Sequence, residues 1–241
     1  MLTSPTLEFE AALWKQGLLR VAGVDEVGLG CLAGPIVAAA VVIPKDVQTI
    51  SLVRDSKALS AKQREQAFEQ LSRQGLLMGI GMASVSEIEQ VNVLQASYLA
   101  MRRAIARVQP IDHALIDGRP IKIDLGVPIT TLIKGDARSY GIACASIVAK
   151  VRRDRLMVHL AKRYPGYGWE RNMGYGTPQH LQGIQSIGIT PWHRTTYAPV
   201  RLALLNESHR EVKLTSKKNP LIRLRTILSE GLEGRIENLH D

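Results

Sequence analysis

The stretch Ala22-Gly23-Val24-Asp25-Glu26-Val27-Gly28-Leu29-Gly30-Cys31-Leu32-Ala33-Gly34-Pro35 sets two adjacent carboxylates where an apolar run meets a cluster of glycines. Leu19 to Val24 reads as a strand that ends at Asp25 and Glu26, and Gly28, Gly30 and Gly34 let backbone come close to a neighbour. Ile36 to Ile43 is a continuous apolar run, the pattern of a strand buried on both faces. Two buried strands around a turn with two negative charges are costly unless the charges meet a partner such as a metal ion. Neighbours in a regular strand point to opposite faces, so both acids reach one site only if the strand ends or twists there.

Outward from this stretch, periods of helix and strand alternate. Ser4-Pro5 followed by Leu7, Phe9, Ala12, Leu13 and Trp14 predicts a short helix with Pro near its first turn, packed on the domain. On the other side, Asp55 to Ser60 leads into a helix in which Ser60 and Gln63 match a capping box, with a stop near Gly75. Leu76 to Ala83 predicts a third strand. Ser84 with Glu87, or Ser86 with Glu89, offers another capping box, followed by one long helix whose apolar face is Val91, Leu94, Tyr98, Met101, Ile105 and Val108. Pro110 marks its end. His113 to Ile116 and Pro128 to Ile133 predict two further strands. A helix from about Ser139 carries Ala143, Ile147 and Val151 on one face and Lys150, Arg152, Arg153 and Arg155 in its second half. Tyr164 to Thr177 reads as a loop, and Thr177 to Ile187 and Ala198 to Leu205 as helices. Beyond Asn206, Ser216 to Pro220 is a break before an amphipathic stretch from Leu221 to Leu228.

With 241 residues and 45% hydrophobic content the chain can build a substantial core, and its Ala, Val, Ile and Leu bias favours an α/β build with helices on a sheet. The net charge of +9 suits an acidic partner such as nucleic acid. The tail after residue 206 is nearly balanced in charge, so the excess belongs to the main domain. Cys31 and Cys144 are the only cysteines and form no CxxC, which excludes a disulfide framework and a cysteine-built zinc site and fits a reducing compartment. No leader-like start and no span-length apolar stretch is visible, so the expectation is a cytoplasmic protein with no membrane partner.

Three apolar strands each finish in an acid beside glycine: Asp25-Glu26, Asp117-Gly118 and Gly135-Asp136. Ends of neighbouring strands converge, so these four carboxylates can share one pocket. Oxygen donors of this kind suit Mg²⁺ or Mn²⁺, and two such ions can activate water and stabilise the leaving oxygen of a phosphodiester. Blander readings stand beside this one: Asp117-Gly118 is a common turn pair, and Asp136 stands where it could cap the next helix. Asp154 rivals Asp136, but about 18 residues of mostly helical chain separate them by roughly 27 Å. Both cannot hold the same ions, and Asp136 is preferred because it sits at a strand end.

The residues Gly23-Val-Asp-Glu-Val-Gly28, Asp55-Ser-Lys-x-Leu-Ser60, Leu115-Ile-Asp-Gly118, Lys134-Gly-Asp136, Ala143-x-Ala-Ser-Ile-x-Ala-Lys150, Arg153-Asp154, Gly174-Tyr-Gly-Thr-x-x-His180 and His193-Arg194 occur in this order. Across about Leu19 to Leu204 the chain resembles bacterial ribonuclease HII. The resemblance implies a ribonuclease H-like fold, a mixed central sheet flanked by helices with a C-terminal helical extension. It implies metal-dependent cleavage of RNA in RNA/DNA hybrids, and cleavage 5′ of single ribonucleotides embedded in duplex DNA, leaving 3′-hydroxyl and 5′-phosphate ends. Two ions, Mn²⁺ or Mg²⁺, would be held by Asp25, Glu26, Asp117 and Asp136. The family's glycine-arginine-glycine element, which senses the ribose 2′-hydroxyl, falls on Gly28-Leu29-Gly30, where leucine replaces the arginine and removes a guanidinium from the phosphate surface. Tyr175 matches the tyrosine that stacks on the neighbouring sugar, and Asn172-Met173 stand in place of the more usual His-Lys. Ser56 and Lys57 are expected phosphate contacts. His180 and His193 could contact substrate, but lone histidines are more often structural, and they stay outside the catalytic set.

The expected organisation is a helical segment over 1–18, a catalytic domain over 19–206 and a tail over 207–241, in a monomer. A tail contact with a replication clamp has no clear motif. A non-catalytic nucleic-acid binder whose acids merely cap turns is the competing class. The related ribonuclease HIII carries an N-terminal substrate-binding domain, for which about twenty residues before the first strand leave no room.

Overall fold

The computed structural model describes residues 4–120 and 123–206, so the break at Ser216 to Pro220 and the amphipathic stretch Leu221 to Leu228 lie outside the described residues. In chain order the elements are α1 (Glu8–Trp14), β1 (Val21–Val27), β2 (Ile36–Ile43), a 3-10 turn (Ser56–Ala58), α2 (Ala61–Arg73), β3 (Met78–Ala83), α3 (Val85–Val91) and α4 (Val93–Ala106). There follow β4 (His113–Asp117), β5 (Ile129–Leu132), a second 3-10 turn (Gly135–Ala137), α5 (Tyr140–Arg163), α6 (Trp169–Asn172), α7 (Pro178–Ile187) and α8 (198–206).

The five strands form one mixed sheet in the order β3-β2-β1-β4-β5. β2 runs antiparallel to both β1 and β3, whereas β1, β4 and β5 are parallel. β1, which carries Asp25 and Glu26, is therefore the central strand, and helices cover both of its faces. Val21, Ala39, Val41, Ile43 and Leu115 pack with α5 and α2 on one side. Ala22, Val24, Ala38, Ala40, Ala114 and Ile116 pack with α4 on the other. The alternation is the period-two signature of strands buried twice over. α5 approaches β1 so closely that a Cβ on Gly23 would lie 1.9 Å from the carbonyl carbon of Gly141, which explains glycine on both sides of that contact.

The N-terminal helix has a structural job. The Glu10 side chain is fully buried, and its Oε1 accepts from the Ser139 hydroxyl at 2.7 Å and from the Gly141 amide at 2.8 Å. A carboxylate thus sits at the N-terminus of α5, where the helix dipole favours it. Burial nonetheless raises its pKa. Pro5 precedes this helix rather than lying in its first turn.

Three expectations are corrected. β1 does not stop at Val24: it continues through Asp25 and Glu26 to Val27, because Ala39, Ala38 and Val37 of β2 keep pairing with it. The single long helix is two, α3 and α4, divided at Asn92, whose φ of 70° breaks the spiral while its side chain caps Leu94 and Gln95. Consequently Val91 and Leu94 are exposed, and the buried face of α4 is Ala96, Ala100, Met101, Ala104 and Ile105. Small residues win there because Gly79 and Gly81 of β3 let the helix backbone come down onto the strand, with Cβ positions within 2.2 and 1.9 Å of the Ala104 and Ala100 carbonyl oxygens. Finally, the expected loop between Tyr164 and Thr177 contains α6. The capping boxes at Ser60 with Gln63 and at Ser84 with Glu87 form as expected, and Ser86 with Glu89 is not used.

A third cluster joins the loop after β1 to the C-terminal helices through Leu32, Ala33, Met157, Leu160, Tyr167, Trp169, Ile184 and Val200. Among the described residues no helix is long and apolar enough to cross a membrane.

Candidate active site

The register of the sheet brings the acids together. Gly23 of β1 stands beside Leu115 of β4, so two residues on, Asp25 and Asp117 are neighbours on the face covered by α5. Asp117 ends its strand and accepts the Gly135 amide on Oδ1 at 2.6 Å, which ties β4 to the turn that carries Asp136. Glu26 continues the opposite face of β1, yet the strand is about to end at Gly28, where φ is 102°, and both acids open into one cleft. This cleft has a volume of about 330 Å³ and is lined by Asp25, Glu26, Val27, Gly28, Leu29, Gly30, Ser56, Lys57, Asp117, Ser146, Lys150 and Tyr175.

Asp136 does not line that cleft. It is buried at its rim in the second 3-10 turn, with Oδ2 3.7 Å from the Lys57 ammonium. It is not the cap of α5, because Ser139 fills that role by accepting the Ile142 amide. Asp154, the rival, is neutralised by Lys150 at 2.7 Å and Arg64 at 3.9 Å. Its charge is already compensated.

The electrostatics separate these groups. Burial first, and then the charges of Glu26 and Asp117, push Asp25 well above the usual carboxylate range, against the pull of Ser146 and the Glu26 amide. Burial and Asp117 push Glu26 up to about 7. Asp136 is raised by burial and by Asp117. Burial opposes the charge on Lys57, but the combined attraction of Asp136, Asp25, Asp55 and Asp117 outweighs it and raises its pKa. The carboxylates therefore repel one another with too little positive charge nearby. Glu26 Oε2 is buried and has no hydrogen-bond partner among the described residues. Among the described residues, no three or more His, Cys, Asp and Glu side chains stand close enough together to hold a metal ion as placed. An all-oxygen donor set with an orphaned oxygen and excess negative charge fits a hard divalent cation.

The other sequence candidates lie around the acids. Ser56 is buried, with its hydroxyl 2.9 Å from that of Ser146, while the Lys57 side chain is 82% exposed and its ammonium faces Asp136. Asp55 holds this turn by accepting the Lys57 amide at 2.8 Å. Leu29 and Gly30 are exposed on the cleft wall, Gly28 is buried, and Tyr175 is half-exposed opposite them.

His180 and His193 lie outside the cleft. His180 Nδ1–H donates to the Tyr175 carbonyl at 2.9 Å, which leaves Nε2 to accept from Trp169 Nε1 at 2.9 Å and from His193 at 3.1 Å. His193 Nδ1 then accepts from the Thr190 amide. Both rings are neutral in this arrangement, and burial lowers both pKa values, His193 to about 4. They hold the Tyr175 loop, as structural histidines. Ser146 and Lys150, which the block from Ala143 to Lys150 contains without marking them as site residues, also line the cleft, from one face of α5 at i, i+4 spacing. A larger cavity of about 570 Å³, between Ile88–Val93 and Thr196–Tyr197, has no comparable concentration of charge.

Known proteins resemble this chain in sequence and in fold. The family model described as ribonuclease HII matches residues 22–200. A ribonuclease HII of Thermosynechococcus vestitus is 57% identical over 204 residues, covering 85% of this chain and 94% of that protein. One from Synechococcus sp. is 51% identical over 199 residues, covering 82% and 90%. Among solved structures, ribonuclease H2 from Pyrococcus horikoshii superposes with a TM-score of 0.64 at 26% identity, covering 77% of this chain and 97% of that one. The ribonuclease HII of Archaeoglobus fulgidus, solved in complex with PCNA, gives 0.64 at 25% identity, covering 74% and 95%.

Proposed function

The chain belongs to the ribonuclease HII family and is a metal-dependent ribonuclease H, and from that premise we propose that it cuts RNA in RNA/DNA hybrids and 5′ of single ribonucleotides in duplex DNA, leaving 3′-hydroxyl and 5′-phosphate ends. The observation that carries the proposal is the convergence of Asp25, Glu26 and Asp117 in one cleft with Gly28, Leu29, Gly30 and Tyr175, with Asp136 at the rim.

Asp25, Glu26, Asp117 and Asp136 would hold two Mg²⁺ or Mn²⁺ ions, which supply Lewis acidity for activating water and stabilising the departing 3′-oxygen. The chain's own residues do the rest. The exposed backbone at Leu29 and Gly30 offers amide donors to a ribose hydroxyl without a side chain in the way. Tyr175 presents a ring to a neighbouring sugar across the same cleft. Lys57, exposed and positively charged, sits where it can reach a phosphate, and Ser56 with Ser146 fixes the turn that bears it. The net positive charge of the chain adds salt-dependent attraction to the nucleic-acid backbone.

The test is a DNA duplex with one embedded ribonucleotide, incubated with Mg²⁺ or Mn²⁺. Cleavage on its 5′ side, lost in Asp25→Asn, is the expected result. Intact duplex with folded wild-type protein would sink the proposal.

A further inference from the structure

Two arginines of the sequence blocks, Arg153 and Arg194, do no chemistry in the reading above, yet both are fully buried. Neither makes an ion pair among the described residues. Their donors go to backbone carbonyls instead. Arg153 donates to Pro35 O at 3.0 Å, to Ala33 O at 3.0 Å and to Met173 O at 2.7 Å. Arg194 donates twice to Gly34 O, at 3.0 and 2.8 Å, and once to Leu29 O at 3.0 Å. Tyr197 supports it, because its hydroxyl accepts from Arg194 and donates to the same Leu29 carbonyl.

The Leu29 carbonyl and the Gly30 amide belong to one rigid trans peptide plane, in which C=O and N–H point in opposite directions. Holding Leu29 O inward therefore turns Gly30 N–H outward. No hydrogen bond within the described residues engages the amide of Leu29 or Gly30, and both residues are exposed on the cleft wall. The Arg153 bond to Met173 O, with the bonds of Leu32 and Ala33 amides to Gly174 O at 2.8 and 3.3 Å, joins the Tyr175 loop to the same frame. Gly28 completes the fit, since a Cβ there would lie 2.4 Å from Arg153 Nε.

We propose that Arg194 and Tyr197 are positioning residues that aim the Gly30 amide into the cleft as a donor to the ribose 2′-oxygen, and that Arg153 locks the Tyr175 loop to this donor so that both elements meet the substrate in one register. The inference rests on the reading that Gly28 to Gly30 and Tyr175 contact the sugars. A backbone donor so held does not need the side chain at position 29, which is how leucine can stand there.

The test compares wild type, Tyr197→Phe and Arg194→Lys. Affinity is measured in Ca²⁺ for a DNA duplex with one ribonucleotide and for the identical all-DNA duplex, together with cleavage in Mg²⁺ and urea midpoints. Tyr197 is only half-buried and loses one hydroxyl, so this variant keeps the test open if Arg194→Lys fails to fold. The preference for the ribonucleotide duplex is expected to shrink about threefold in Tyr197→Phe and about tenfold in Arg194→Lys, with all-DNA affinity unchanged. A wild-type preference in Tyr197→Phe, or a fall in both affinities in step with stability, overturns the inference. Wild-type protein that neither cuts nor prefers the ribonucleotide duplex refutes the underlying reading instead.

Discussion

The acidic cleft at the ends of β1 and β4 and the polar knot around Trp169 both bury polar groups, but in opposite ways. In the knot every charge or ring nitrogen described above has a partner: Arg153 and Arg194 on carbonyls, His180 between Tyr175 O and Trp169, His193 between His180 and Thr190. In the cleft Asp25, Glu26 and Asp117 face one another, and Glu26 Oε2 has no hydrogen-bond partner among the described residues. Satisfied burial builds a rigid frame, whereas unsatisfied burial leaves a site that gains by taking up a cation. The two regions meet at the loop from Gly28 to Pro35, one wall of which is frame and the other site.

Four perturbations separate them, the largest first. Asp25→Asn is expected to lower cleavage of a ribonucleotide-containing duplex by roughly 1000-fold while raising the thermal midpoint of the metal-free protein, since it removes a repelling charge from the cleft and leaves the amide oxygen to accept from Glu26. A fall in both would show the acid to be structural. Trp169→Ala acts on the frame: it deletes a fully buried ring stacked on Tyr167 at 5.1 Å and the donor to His180, and should cost about 3–5 kcal/mol in urea unfolding, with activity lost only as the protein unfolds.

Opposite pH slopes follow from the two environments. The folded pKa of His193 is depressed to about 4 from 6.5, so its stabilisation is whole above pH 6.5 and is lost as pH falls towards 4, a loss on the order of 3 kcal/mol. The folded pKa of Glu26 is raised to about 7 from 4.5, so its contribution is present below pH 4.5 and is lost as pH rises through 7. In metal-free protein, His193→Gln should flatten the acid limb of a stability profile, and Glu26→Gln should flatten the neutral-to-alkaline limb. Unchanged limbs in both variants would dissolve the comparison. The smallest effect is expected from Leu29→Arg, which returns a guanidinium to the cleft wall: duplex affinity rises a few-fold at low salt, and the slope of log affinity against log salt steepens by about 1.

Much of this was legible in the chain. The five strands, both capping boxes and the carboxylate-glycine junctions follow from local pattern. The long helix that became α3 and α4 did not, because a 3.6-residue apolar period cannot register that Asn92 adopts a left-handed conformation or that Gly79 and Gly81 invite an alanine face instead. Nor could the sequence tell that Lys150 lines the cleft or that Arg153 grips its loop, since a basic residue on a helix reads equally as solvated surface, while Ser146 and Arg194 meet partners 90 and 160 residues away along the chain.

By itself the sequence determined which segments become strands, where their acids stand, and to which family the pattern is similar, for these depend on neighbours a few residues apart. Only the tertiary structure decided that Asp154 is neutralised while Glu26 is not, that Asp136 stands at the rim and leaves the helix cap to Ser139, and that the Gly30 amide is aimed outward from a clamped Leu29 carbonyl. Charge compensation and the direction of a peptide plane depend on groups up to 168 residues away along the chain, and only packing brings those groups within reach.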